Sequence, residues 1–261
     1  MATHTAPILD RILESRRAWI NELKARERID AAPVTDAPPV RDFRRALRGP
    51  QVALIAECKE RSPSGGLLQK PYDPVGLARR YAANGASAIS VLTEPDFFGG
   101  SLAHLGAIRA AVDVPLLCKD FVIDAVQLRA ARSAGADATL LIVGILENND
   151  LRTLYSDAMD LGMQVVVEVH NESEVRRAVD LGAAIIGINN RDLTRMKTDR
   201  ATTARLRPLI PSDRTVIGES GIESRADIDE LARLNVDAAL VGESLLRAAD
   251  LEAKVRELSG R

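Results

Sequence analysis

Val52-Ala53-Leu54-Ile55-Ala56-Glu57-Cys58-Lys59-Glu60-Arg61-Ser62-Pro63-Ser64 is an apolar run that ends in charge. Strand side chains alternate between faces, so Glu57 and Lys59 fall on one face and Cys58 on the other. A carboxylate and an ammonium at the mouth of a buried strand carry a desolvation penalty that folding alone does not require. The event recurs downstream. Pro115-Leu116-Leu117-Cys118 runs into Lys119, and Val165-Val166-Val167 runs into Glu168. Three apolar strands, each closed by charge at its C-terminal end, predict an active site assembled from several strands.

Outward from this stretch one unit repeats. Strands are expected at 52–57, 88–92, 115–118, 138–143, 164–169, 184–188, 215–218 and 238–241. Helical patterns lie between them at 74–84, 103–111, 124–134, 149–161, 172–181, 200–208 and 225–234, with a last helix near 244–258. Several helices stop at one kind of turn: Asn84-Gly85-Ala86, Ala134-Gly135-Ala136 and Leu181-Gly182-Ala183. Leu234-Asn235-Val236-Asp237 repeats it with Asn in the Gly role. Eight alternating strand–helix units predict an α/β fold of the (β/α)8 TIM-barrel class. A doubly wound dinucleotide-binding sheet would carry G-x-G-x-x-G after its first strand, and this chain does not. Upstream, Ile8, Leu9, Ile12, Leu13, Trp19, Ile20 and Leu23 recur at helical spacing within 8–29. A Pro/Ala-rich connector over 31–39 and a short helix near 41–48 follow. Residues 1–48 are therefore expected to form an N-terminal helical extension packed on a catalytic barrel of residues 49–261.

Composition narrows the function. In 261 residues, 46% are hydrophobic, enough to bury a sizeable core. Lys and Arg number 35 against 37 Asp and Glu, with no strongly basic stretch, which argues against a nucleic-acid partner. No apolar stretch reaches membrane-spanning length and no secretory signal is evident, so a cytoplasmic, membrane-free protein is expected. Cys58 and Cys118 do not make a disulfide framework and read as small apolar groups between strand and helix. His4, His104 and His170 show no His-x-x-x-His spacing, and no Cys-x-x-Cys occurs, so no metal site is expected. His170, two residues beyond Glu168, could lean toward the same mouth, but reads first as a solvated loop histidine.

In this barrel class, active sites lie at the C-terminal ends of the strands. Glu57, Lys59, Lys119 and Glu168 would converge there from strands one, three and five, joined by Asn189 from the sixth. A plug of ion pairs needs one matched pair, whereas two lysines, two carboxylates and an amide would share this space. The seventh and eighth strands are both followed by Gly-Glu-Ser, in Gly218-Glu219-Ser220-Gly221 and Gly242-Glu243-Ser244. Glycine allows close approach to the backbone, helix N-termini favour anions, and these two loops are the habitual phosphate site of the fold. Ser62 would add a hydroxyl from the first loop, across the closed barrel. Glu219 would repel a phosphate and is expected to face the barrel centre, toward a substrate hydroxyl or a lysine.

Together these residues resemble the indole-3-glycerol-phosphate synthase family of tryptophan biosynthesis. The likeness rests on Ile55–Ser64, on Val91-Leu92-Thr93-Glu94 with Phe98-Gly99-Gly100-Ser101, and on Leu117-Cys118-Lys119-Asp120-Phe121. Val167-Glu168-Val169-His170, Ile188-Asn189-Asn190-Arg191-Asp192-Leu193 and Glu219-Ser220-Gly221-Ile222 complete it. It implies ring closure of 1-(2-carboxyphenylamino)-1-deoxyribulose 5-phosphate, with loss of CO2 and water and without cofactor or metal. It further implies Lys119 as general acid toward the substrate carbonyl and Lys59 as partner of the anthranilate carboxylate. Glu168 would stabilise the cationic intermediate. Glu57 would hold the lysines or act as base in dehydration, and Asn189 and Glu219 would bind substrate hydroxyls. The phosphate would lie on Ser62, Ser220, Gly221, Gly242 and Glu243, with Arg191 at the rim. Pro63, Phe98, Phe121 and Leu140 would line the aromatic pocket. Two positions depart from the family pattern: Gly65-Gly66 follows Ser64 where many members have Lys, and Glu243 stands where some have Ser.

Two rival readings remain at this stage. One is a ribulose- or ribosyl-phosphate isomerase on the same barrel, although Glu-x-Lys on strand one with Lys on strand three suits cyclisation better. The other is a non-catalytic barrel that binds a sugar phosphate. The expected partner is a small phosphorylated substrate, with the chain a monomer or weak homo-oligomer.

Overall fold

The computed structural model describes residues 8–26, 34, 37–63, 65–192 and 197–261. His4, the expected helix end at 27–29, the start of the connector at 31–33, Ser64 and Leu193 lie outside the described residues. Eight strands form the barrel: β1 (Ala53–Cys58), β2 (Ala88–Leu92), β3 (Leu116–Lys119), β4 (Ala138–Ile142), β5 (Gln164–Val169), β6 (Ile185–Asn189), β7 (Thr215–Glu219) and β8 (Ala238–Val241). Each pairs in parallel with the next, and β8 closes on β1 through Ala53 opposite Ala238 and Ala56 opposite Val241.

Period-two alternation divides the apolar residues into two cores. Ile55, Leu117, Leu140, Val166, Ile217 and Leu240 fill the barrel interior. Leu54, Ala56, Cys58, Leu116 and Cys118 face outward and pack beneath the helices. Both cysteines are buried, and burial pushes the Cys118 thiol up to about 12, so they act as packing groups. Asn235 adopts φ 55, the left-handed stop that Gly85, Gly135 and Gly182 make elsewhere.

Local chemistry altered some expected elements. The last helix is two, Glu243–Leu246 and Leu251–Ser259, because Asp250 caps the second by accepting from the Ala253 N–H. The helix expected over 200–208 is Ala201–Leu206 followed by a 3-10 turn, Arg207–Leu209, around Pro208, which has no N–H to continue an α-helix. After β1, Arg61–Ser62 pairs with Gly66–Leu67 as a small hairpin.

The N-terminal helix, Ile8–Arg26, sits beside the loops that leave β2 and β3. Ser15 donates to Asp96, Lys24 to Asp124 at 2.6 Å, and the buried Arg16 lies 3.7 Å from Asp120. At the opposite barrel end the Arg41 N–H donates to Asp137 and the Arg44 N–H to Gln164, while Phe43 and Leu47 are buried with the inner core. Among the described residues no helix is long and apolar enough to cross a membrane.

Candidate active site

Glu57 is the last inward-facing residue of β1, and Lys59 lies just beyond the strand end. Lys59 Nζ donates to Glu57 Oε1 at 2.6 Å, and both side chains are buried. Lys119 closes β3 and reaches across the barrel to Glu219 Oε2 at 2.7 Å and to Glu168 Oε2 at 3.2 Å. Asn189 ends β6; its amide donates to Glu168 Oε1 at 3.1 Å and accepts from the Ser220 hydroxyl at 2.8 Å. All seven of these residues line one cavity of about 920 Å³ at the C-terminal ends of the strands.

Two glycines make room for the carboxylates. A Cβ at Gly187, in the middle of β6, would lie 2.3 Å from Glu219 Oε1. A Cβ at Gly242 would lie 2.6 Å from Glu57 Oε1. Gly242 therefore spares Glu57, a reason the sequence reading did not supply.

Burial opposes charge on every member of the cluster, and the neighbours decide the outcome. For Lys119, desolvation is outweighed by Glu219, Glu168 and Glu57, so its pKa rises above the ordinary lysine range. Glu168 is desolvated too, yet Lys119, His170 and Asn189 hold it well below the usual carboxylate range. Glu57 is lowered by Lys59 and Lys119 against its burial. Glu219 goes the other way. Its burial and the adjacent Glu168 prevail over Lys119 and push it up to about 7. Two carboxylates on one ammonium thus differ: one stays ionised, the other can hold a proton at neutral pH.

His170 corrects an expectation. It is not a solvated loop residue: its side chain is 15% exposed, with Nε2 3.2 Å from Glu168 Oε1 and Nδ1 3.1 Å from Glu174 Oε2. Burial disfavours its charge, but a carboxylate on either side pushes its pKa up to about 10.

At the apolar end, Phe98, Phe121 and Leu140 line the cavity, the two rings 6.0 Å apart between centroids. Phe98 is carried by the short helix Pro95–Phe98, capped by the fully buried Glu94, which accepts from the Asp96, Phe97 and Phe98 N–H groups. At the other end Ser220, Gly221, Gly242, Glu243 and Arg191 line it, with Ser220 at φ 67 and Gly221 at φ 76. The Glu243 carboxylate is taken up by Arg247 at 2.9 Å and approached by Arg191 at 3.8 Å. Ser62 and Pro63 lie outside the cavity wall. In the hairpin the Ser62 hydroxyl accepts from the Gly65 N–H at 2.9 Å, and Pro63 is exposed in the turn.

Sequence reasoning assigned no site role to Glu94, His170, Gly187 or Asp120, which also lines the cavity. Glu94 was detectable, since an acidic residue before Pro95 is a helix-start signal. His170 stands two residues beyond Glu168, the spacing that puts both on one strand face, whereas Gly187 and Asp120 carry no such signal.

A model of the family described as indole-3-glycerol phosphate synthase matches residues 9–258. The chain is 49% identical to the indole-3-glycerol phosphate synthase of Roseiflexus sp. (strain RS-1), over 97% of this chain and 98% of that one. It is also 49% identical to the one from Dehalococcoides mccartyi (strain CBDB1), over 94% and 95% of the two chains. Among solved structures, the 3-hexulose-6-phosphate synthase from Salmonella typhimurium matches with a TM-score of 0.67 at 18% identity, covering 80% of this chain and 97% of that one, a likeness of fold alone. With sequence similarity over nearly its whole length, the chain belongs to the indole-3-glycerol phosphate synthase family.

Proposed function

We propose that this cavity closes the pyrrole ring of 1-(2-carboxyphenylamino)-1-deoxyribulose 5-phosphate and expels CO2 and water, a carbon–carbon carboxy-lyase reaction. The observation that carries the reading is Lys119, a part-buried ammonium between two carboxylates of unequal acidity, at the centre of a cavity with an aromatic end and a glycine-rich end. As the aromatic carbon attacks the substrate carbonyl, Lys119 gives its proton to the carbonyl oxygen. Glu168, held ionised, stabilises the positive charge that develops on the ring system. Lys59 meets the anthranilate carboxylate, which departs as CO2, and later protonates the leaving hydroxyl while Glu57 takes the accompanying proton. Asn189 and Glu219 hold substrate hydroxyls.

Phe98, Phe121 and Leu140 take the aromatic ring. The phosphate lies on Ser220, Gly221, Gly242 and the N–H groups from Glu243 onward, with Arg191 at the rim. The arginines on the Glu243 carboxylate support backbone recognition there, so the departure from Ser is tolerable. The lysines and carboxylates supply the proton transfers, so the reading calls for no cofactor. In it, residues 1–48 are the extension and 49–261 the catalytic barrel, working in the cytoplasm as a monomer or weak homo-oligomer.

Incubation with the carboxyphenylamino ribulose phosphate should give the fluorescence of an indole product with stoichiometric CO2. An isomerase or a non-catalytic binder would consume no substrate by this route, and absence of both signals refutes the reading.

A further inference from the structure

Resting on that reading of Glu168, we propose that His170 is a positioning residue of the reaction: a cation between Glu174 and Glu168 that holds the Glu168 carboxylate electrostatically from its Oε1 edge. Glu168 is approached on two edges. Lys119 takes Oε2 at 3.2 Å, while His170 Nε2 stands 3.2 Å from Oε1, which also accepts from Asn189 at 3.1 Å. Behind the imidazole, Glu174 Oε2 lies 3.1 Å from Nδ1 and accepts the His170 backbone N–H at 2.8 Å. Asn171 binds the other oxygen of Glu174 at 2.6 Å, so the carboxylate that orients the ring is itself held.

The arrangement matters when Lys119 acts. On giving its proton to the substrate oxygen, Lys119 becomes a neutral amine, and the Oε2 edge of Glu168 loses its cation. The intermediate is then cationic, and Glu168 must be ionised and aimed at it. His170 keeps a positive charge on the opposite edge throughout, so the carboxylate neither swings nor takes up a proton. The charged or titratable groups around the imidazole are Glu168 from β5, Glu174 from the following helix and, one carboxylate away, Lys119 from β3; Asn189 from β6 donates to the same Glu168 oxygen. Arg177 on the same helix points elsewhere, to the carbonyls of Val143 and Leu146.

The test is His170→Gln, measured with Lys119→Met and with the pair His170→Gln/Glu168→Gln. H170Q should lower kcat about 10- to 100-fold, the scale of a misplaced reacting group. KM should stay within about threefold, and the acidic limb of the kcat profile should move to higher pH. The sign follows from the cation: without it, Glu168 holds its proton to higher pH. In the Glu168→Gln background, H170Q should change the rate by less than about twofold, because the histidine acts through that carboxylate. A merely structural histidine would lower kcat equally in both backgrounds and leave the pH limb in place. That result, or an H170Q enzyme with wild-type kcat and pH profile, overturns the proposal. If K119M is also fully active, the reading of the site fails instead.

Discussion

Lys119→Met removes the one cation that Glu168 and Glu219 share. Two losses follow in the rate. The substrate carbonyl loses its general acid, a step typically worth about 10²–10⁴-fold. It also loses a charge aimed at the developing oxyanion, about 10²–10³-fold when a single preorganised donor is removed. Groups that act as a unit do not add fully. A fall in kcat of about 10⁴-fold or more is therefore expected, with KM within several-fold, because the aromatic and glycine-rich ends of the cavity are untouched.

Stability gives an independent readout of the same geometry. Stripping the partner from a buried charge costs about 3–5 kcal/mol when the charge cannot relax. Here Glu219, already pushed up to about 7, can take a proton instead. The deficit of K119M should therefore be small near pH 6 and grow above pH 7. Product fluorescence gives the rate, and urea unfolding at pH 6 and pH 8.5 gives the stability. A variant that keeps more than a hundredth of wild-type turnover while folded, or a deficit that does not change with pH, would refute the reasoning.

Three further substitutions probe the surrounding structure. Glu219→Gln should lower activity yet stabilise the fold at pH 8: a carboxyl near 7 in the folded state and 4.5 when unfolded favours folding fully below 4.5, and that contribution is lost as pH rises through 7, a deficit of about 3 kcal/mol; a difference from wild type that does not shrink steadily from pH 8 toward pH 4.5 would count against this. Gly242→Ala would drive a methyl into Glu57 and detach it from Lys59, so kcat should fall about 10- to 100-fold with a stability loss of about 1–3 kcal/mol, checked by kinetics and melting. Glu94→Ala leaves three helix N–H groups without their acceptor and should destabilise by about 2 kcal/mol and raise KM by releasing Phe98; unchanged KM in a destabilised protein would separate the cap from the ring pocket.

The barrel was legible because its signals are periodic and local. The alternation of Leu54, Ile55, Ala56, Glu57 and Cys58 sorts inward from outward without tertiary knowledge, and a stop such as Asn235 announces the next strand. The converging charges were legible for the same reason, since a lysine or glutamate ending an apolar strand has no packing role to explain it. What escaped notice depends on long-range contact. His170 looks like any loop histidine until Glu174, four residues on and one helical turn into the next element, closes behind it. Gly187 looks like a weak strand residue until the Glu219 carboxylate arrives from the neighbouring strand. Ser62 shows the same dependence: its place outside the cavity wall follows from the hairpin in which its hydroxyl accepts from the Gly65 N–H.

The charges of the mouth balance only as a set. Glu57, Glu168 and Glu219 face Lys59, Lys119 and His170, and each bond between them offsets desolvation that an isolated member could not survive. A substrate that brings a carboxylate to Lys59 competes with Glu57 for the same ammonium. In the proposed reaction that competition ends when the carboxylate leaves as CO2, and Glu57 regains its partner without any movement of the backbone. The proton on Glu219 serves a similar end: it allows the cluster to gain or lose one charge near neutral pH while Glu168 stays ionised. A site meant only to plug the barrel would be most stable with matched pairs and no group titrating near 7. In the proposed reaction, the unequal acidity of two carboxylates on one lysine is a feature that catalysis would use and that folding alone gives no reason for.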